Sequence, residues 1–165
     1  MALTNAKIVA LRAAIFANPT AAALLQAGDT TGLLAGCNSL TSTRRWLSAA
    51  PVLEIEEAPN YTTYDSLTQG KRDSWNLFLH NPRDFGRGRV RSWVVDVWGA
   101  ATAGSNAEAV LLAGTVLATN AQVAIGGATR TTGTVSALDA TFEEEVGITD
   151  ATRLIFRDDG TIWTQ

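Results

Sequence analysis

Between Asn5 and Ala17 the apolar residues Ile8, Leu11, Ile15 and Phe16 recur at the three-and-four spacing of one helical face, and Thr4 stands where an N-cap belongs. Asn18-Pro19 interrupts this helix, because a residue before proline is pushed out of the α region. Thr20 can then cap a second short helix, Ala21 to Ala27, which Gly28 ends. Asp29 restarts the pattern, with Leu33, Leu34 and Cys37 on one side of a third. Further on, Asp65 can cap a helix to about His80 that lines up Leu67, Lys71, Trp75, Phe78 and Leu79. Val90, Trp93, Val94, Val97 and Trp98 then mark the clearest amphipathic helix, with a shared buried face and a stop at Gly99. Ser105 caps a long Ala-rich helix in which Ala107, Val110, Leu111, Gly114, Leu117, Ala118 and Ala121 form a small-residue seam, ended by Gly126-Gly127.

From Ser39 to Thr63 the periodicity weakens. Arg44, Arg45 and Trp46 suggest a turn of helix, and Val52 to Glu56 alternates like a short strand between Pro51 and Pro59. Such a segment reads either as an interaction arm or as an ordinary surface loop with one edge strand. After residue 126 the composition turns Thr/Gly-rich and then β-like, and Arg153 to Arg157, Asp158-Asp159-Gly160 and Thr161 to Gln165 read as a hairpin. In it Leu154 and Phe156 face one way and Arg153, Ile155 and Arg157 the other, while Ile162 and Trp163 take opposite faces. A ribbon apolar on both faces calls for a neighbour. The expected fold is mainly α: a compact bundle of about five helices with a long irregular middle segment and a C-terminal β-hairpin. Residues 1–126 form its helical domain, and 127–165 a Thr/Gly-rich extension ending in the docking arm.

The 165 residues suit one domain. A net charge of -3 gives no basic excess of the kind a dedicated nucleic-acid binder carries, and 18% charged residues leave a weakly charged surface that suits permanent neighbours. Cys37 alone cannot form an intrachain disulfide, and with His80 it leaves too few soft ligands for zinc. No secretory signal opens the chain and no apolar run matches a bilayer, so a soluble protein made in a reducing cytoplasm is expected, with no membrane partner, metal or cofactor.

Catalysis finds little to use. His80 ends a helix, where the macrodipole favours it, and Cys37 reads as a small buried hydrophobe. Glu143-Glu144-Glu145 cannot converge on one point and reads as a solvated face. Asp158 and Asp159 are better explained by a turn than by Mg²⁺, and Gly86-x-Gly88 lacks the third glycine and preceding strand of a dinucleotide cradle. The chain does not read as an enzyme. Its basic cluster, Arg83, Arg87 and Arg89 with Arg91, could meet phosphate or an acidic patch, or could be a solvated loop; arginines at a helix N-terminus oppose the dipole, which points to a partner. Trp75, Trp93 and Trp98 have core phase. Trp46 and Trp163 do not, and with Phe156 and Ile162 they are the apolar interface candidates.

Leu3-Thr4 through Leu11-Arg12-Ala13, Asn18-Pro19-Thr20, Ala27-Gly28-Asp29, Tyr64 to Lys71 and Trp75 together resemble a family of small virion-associated proteins of tailed bacteriophages. Val90-Arg91, Val97-Trp98-Gly99 and Gly133 to Asp139 continue the resemblance in order, so it covers about residues 3 to 140 and leaves out the segment after Gly147. It implies a structural subunit of the virion, made in the bacterial host cytoplasm. The specific expectation is a neck adaptor, or head-to-tail connector, forming a ring of identical subunits beneath the portal and meeting portal protein, tail proteins and, non-specifically, packaged DNA. The alternatives are a tail, baseplate or capsid-decorating subunit, and a DNA-binding accessory protein acting through the arginine-rich loop.

Overall fold

The computed structural model describes residues 2–139 and 145–164. It is an α/β fold in two units, Met1–Ser42 with Ala118–Gly126 and Thr141–Gln165, and Thr43–Leu117 with Gly127–Ala140.

In the first unit, α1 (Asn5–Ala17) begins where the Thr4 hydroxyl accepts the Lys7 N–H, and Ile8, Leu11 and Ile15 are its buried face. Asn18, not Thr20, caps α2 (Pro19–Gln26): its side-chain oxygen accepts the Thr20 and Ala21 N–H groups, and Pro19 sits where a missing N–H costs nothing. Gly28, at φ +71°, closes that helix, and Asp29 caps α3 (Thr30–Asn38) through Gly32 N–H.

The expected C-terminal hairpin is instead mostly helix, α9 (Ile148–Ile155). Ala151, Leu154 and Ile155 repeat at helical spacing and are buried with Leu3, Ile8, Leu11 and Leu25, and this outweighs the period-two reading of the same short run. Asp150 fixes the helix start: its carboxylate accepts the Leu3 and Gly147 N–H groups and pairs with Arg153 at 3.1 Å. Of the hairpin there remains one antiparallel bridge, Phe156 to Ile162, around a turn whose Gly160 has φ +80°.

In the second unit, the expected strand Val52 to Glu56 is helical, as α4 (Val52–Glu57). Ile55 is buried while Leu53 is 63% exposed, which an alternating strand with one core face would not give. A 3-10 turn (Tyr61–Ser66) leads to α5 (Gln69–Phe78), capped by Thr68 and not by Asp65. In α6 (Gly88–Trp98) Val94 and Val97 are buried, but Val90, Trp93 and Trp98 are only partly so, because the face expected to be wholly internal also borders solvent. Gly99, at φ +88°, ends the helix as expected.

The long Ala-rich helix does not run to Gly126. Ser105 does cap α7 (Asn106–Ala113), but the chain then turns into β2 (Thr115–Thr119) and restarts as α8 (Asn120–Ile125), a first-unit helix with its own Thr119 cap. At Gly114 the Phe85 ring occupies the space a Cβ would need. Arg44, Arg45 and Trp46 lie in strand β1 (Leu40–Trp46), not in a helical turn. With β3 (Thr129–Thr132) and β4 (Val135–Leu138) the strands form one sheet in the order β2-β1-β4-β3. β1 and β4 are parallel with Arg45 opposite Leu138, and β3 and β4 form an antiparallel hairpin that turns at Gly133, φ +58°. β2 runs antiparallel to β1, since the Asn120 N–H donates to Ser39 at one end and the Leu47 N–H to Gly114 at the other. The boundary between units falls inside β1 and β2.

A mixed sheet therefore replaces the expected mainly α bundle, and the true hairpin lies at residues 129–138. Within 127–165, Val135 and Ala137 belong to the second unit's core, and Val146, Ala151, Leu154 and Ile155 to that of the first.

Candidate functional site

The residues singled out for binding fall into two groups, one in each unit. In the second unit the arginine-rich loop is largely bound to its own scaffold. Arg83 donates from Nε to the Phe78 carbonyl and from Nη2 to that of Leu77, both at 2.7 Å, so it caps the C-terminus of α5 with the charge the helix dipole favours. Its guanidinium also lies 5.2 Å from the Phe78 ring centroid and 5.0 Å from that of Trp93. Arg91 is 7% exposed and donates to the Phe85 and Gly86 carbonyls and, at 3.2 Å, to the Thr132 hydroxyl. Its burial lowers its pKa, and the carboxylate of Asp139 opposes that shift. Arg87 is exposed and paired with Asp84 at 2.8 Å. Arg89 is exposed on the first turn of α6, the clearest outward cation of the loop.

Trp46, expected at an interface, is 1% exposed. It stacks on Phe85 with centroids 6.5 Å apart, beneath the Arg91 guanidinium. The sequence suggests a turn of helix here, and a tryptophan that is the one buried residue at the end of β1 has no helical phase to mark it as core. It is a core residue and leaves the set of binding candidates.

In the first unit Phe156 and Ile162 are half-buried, packed against the core that contains Leu154 and Ile155. Trp163 is half-buried too, and its indole N–H donates to the Phe156 carbonyl at 3.2 Å. Sequence reasoning did not anticipate what surrounds it. The Arg12 guanidinium lies 3.8 Å from the Trp163 ring centroid and that of Arg157 lies 4.7 Å from it. Arg12 reaches across from α1 to donate to the Leu154 carbonyl at 3.1 Å and to the Arg153 carbonyl at 2.6 Å, capping α9. Arg12, Arg153, Arg157 and Trp163 line an open cavity of about 560 Å³. Burial first, and then the like charges of Arg153 and Arg157, lower the pKa of Arg12. Only the alternation of charge and aromatic residues between Arg153 and Trp163 hinted at this cluster, and Arg12 joins it from a distant helix.

A second hollow of the first unit, about 290 Å³, is walled by Leu11, Ile15, Leu24, Leu33 and Cys37. Burial pushes the Cys37 thiol up to about 11, which leaves it inert at neutral pH, as a small apolar side chain would be. His80 follows the end of α5 with Nδ1 2.7 Å from the Asn76 carbonyl. Among the described residues no three His, Cys, Asp or Glu side chains converge as a metal site would require, and no single helix is long and apolar enough to cross a membrane. Glu143 and Glu144 lie outside the described residues, and Glu145 is exposed.

No protein-family model, curated protein or solved structure matches this chain.

Proposed function

We propose that the protein is a non-enzymatic structural subunit of a tailed-phage virion, a neck adaptor that assembles as a ring of identical copies between portal and tail. The observation that carries the reading is an open sheet edge. β2 ends the sheet, and its Val116 and Leu117 are 38% and 37% exposed, with Leu112 of α7 exposed nearby in sequence. Proteins that act alone protect such edges with charge, proline or a covering element, whereas a subunit presents them to a neighbour. β2 itself, Thr-Val-Leu-Ala-Thr, carries no charged residue; the guanidinium of Arg44 in β1 donates to its Thr115 hydroxyl at 2.8 Å and leaves Val116 and Leu117 exposed. The resemblance of residues 3 to 140 to small phage virion proteins supplies the setting.

The DNA-binding alternative loses support from the same loop that suggested it. With Arg83 and Arg91 bound internally and Arg87 paired to Asp84, Arg89 is left as the main cation for phosphate. Each neutralised phosphate contributes a salt-dependence slope of about -0.9, so tight binding needs several such contacts. A tail, baseplate or capsid-decorating position uses the same edge and is separated by experiment. Particles purified from cells infected with a phage lacking this gene should be filled heads that have not joined tails, and the added protein should join them. Infectious, normally joined particles without the protein would overturn the reading; tailless heads that leak DNA despite added protein would overturn the neck position.

A further inference from the structure

We infer that the N-terminus of α6 binds one dianionic phosphate group, as inorganic phosphate or as the monoester of a small molecule. α6 begins at Gly88 with no side chain capping its first turn. The N–H groups of Val90 and Arg91 donate to the Arg87 carbonyl, but among the described residues those of Gly88 and Arg89 have no acceptor. Asp84, the nearest acid in sequence, does not cap them: its Oδ1 accepts the Gly86 N–H and its Oδ2 the Arg87 Nε. Free N–H groups and the positive end of the dipole favour an anion there.

Arg91 turns this helix start into a site. Its side chain, 7% exposed, leans back toward the N-terminus as helical side chains do. Nε donates to the Thr132 hydroxyl and Nη1 to the Phe85 and Gly86 carbonyls. Nη2 has no acceptor, and it is the atom nearest to where a Cβ on Gly88 would stand, at 3.7 Å. Among the described residues the sealed side-chain nitrogens without a partner are those of Trp46 and Trp98, so Arg91 Nη2 opens to solvent beside the exposed Gly88. A buried guanidinium thus aims its one unbonded nitrogen at two free main-chain N–H groups, across a space that glycine keeps clear.

Charge decides the ligand. Arg87 is paired with Asp84 and Arg130 with Asp139. Among the described residues this leaves Arg91, and Arg89 exposed on the first turn, with no carboxylate in ion-pair contact. Two uncompensated guanidiniums match a phosphate monoester, which carries close to two negative charges at neutral pH and has three free oxygens to divide among Nη2, the N–H groups and Arg89. A phosphodiester brings one charge, and a nucleic-acid strand needs a track of several free cations. Such a site stands whether or not the protein belongs to a virion.

Phosphorus NMR of inorganic phosphate titrated with the purified full chain, at about pH 8 and about 0.15 M NaCl, tests it. The wild type should shift and broaden the signal saturably, thymidine 5′-monophosphate should compete, and an oligothymidylate without terminal phosphates should not. Gly88→Ala changes no charge and meets no side chain closer than 3.7 Å, so it should fold as stably as the wild type. Its methyl group stands where a phosphate oxygen must sit, and affinity should fall about tenfold or more. Arg89→Ser, at an exposed position, should also lose about tenfold. Arg157→Ser removes the same charge from the first unit and should bind as the wild type does. A phosphate signal that the wild type leaves unchanged, Gly88→Ala and Arg89→Ser proteins that bind normally, or an equal loss in Arg157→Ser overturns the site. Displacement by the oligothymidylate overturns its assignment to a phosphate monoester.

Discussion

The guanidinium of Arg91 lies 4.8 Å over the ring of Trp46, at the centre of the second unit's core. The arginine satisfies the Phe85 and Gly86 carbonyls from one Nη1, and the indole covers the apolar face of the ion and separates it from water. Trp46→Ala should therefore cost about 3 to 5 kcal/mol, because a fully buried ring leaves a cavity and uncovers a buried charge. Urea unfolding measures it, and a loss below about 1 kcal/mol would place the ring outside the core.

The loop arginines should separate cleanly in the same assay. Arg83→Ala removes a cap from the last turn of α5 together with contacts to two aromatic rings, and should cost about 1 to 2 kcal/mol. Arg87→Ser with Arg89→Ser should stay within about 0.5 kcal/mol of wild type, since both side chains are exposed and the Asp84 pair is a surface one. Any effect of that double variant on assembly can then be read as a surface effect, which a triple variant including Arg83 would confuse with loss of stability.

What was legible in the sequence was local chemistry. Thr4, Asp29 and Ser105 cap helices because a short side-chain oxygen is all that the free N–H groups require, and Gly28 and Gly99 end helices because they take positive φ. Non-local pairing was not legible. β1 is Leu-Thr-Ser-Thr-Arg-Arg-Trp, and it is a strand through partners far along the chain, β2 on one side and β4, with Leu138 opposite Arg45, on the other. The run Arg153 to Arg157 satisfies both periods over five residues, and the burial of Ala151, Leu154 and Ile155 against α1 and α3 decided for helix. Of the candidate site, Trp163 was visible as an aromatic without core phase, whereas Arg12 was hidden, since nothing in α1 announces which end of which helix it caps.

Gly114 gives a third test. A Cβ placed there would overlap the Phe85 ring, a buried neighbour with no room to withdraw, since Phe85 is 0% exposed and packs against Trp46 and Phe78. Gly114→Ala should destabilise by more than about 2 kcal/mol, against the gain expected where alanine fits. Gly104→Ala has open space around it, but its φ of +76° makes the substitution strained for the backbone alone, at about 1 to 2 kcal/mol. Measured side by side, the two separate a steric cost from a conformational one, and a Gly114→Ala protein as stable as the wild type would show that α7 does not need to stop where Phe85 stands.

Cys37 links the first unit's core to pH. Its thiol titrates near 11 in the folded protein, and near 8.5 when exposed in an unfolded chain. Between those values the unfolded chain releases a proton that the native state retains, so the unfolded state binds fewer protons and stability must fall as pH rises. The contribution is complete below the unfolded pKa and is lost as the pH climbs to the folded one. Tyrosines and lysines titrate in the same range, so the measurement is a difference: urea midpoints at pH 8, 9 and 10 for wild type and for Cys37→Ala. The variant should start lower, having lost a buried side chain, and should show a shallower decline with pH. Native protein at pH 8 should also resist iodoacetamide until urea exposes the thiol. Equal slopes together with fast native alkylation would mean that the wall of Leu33, Leu24 and Ile15 gives way and lets solvent from the neighbouring hollow reach Cys37.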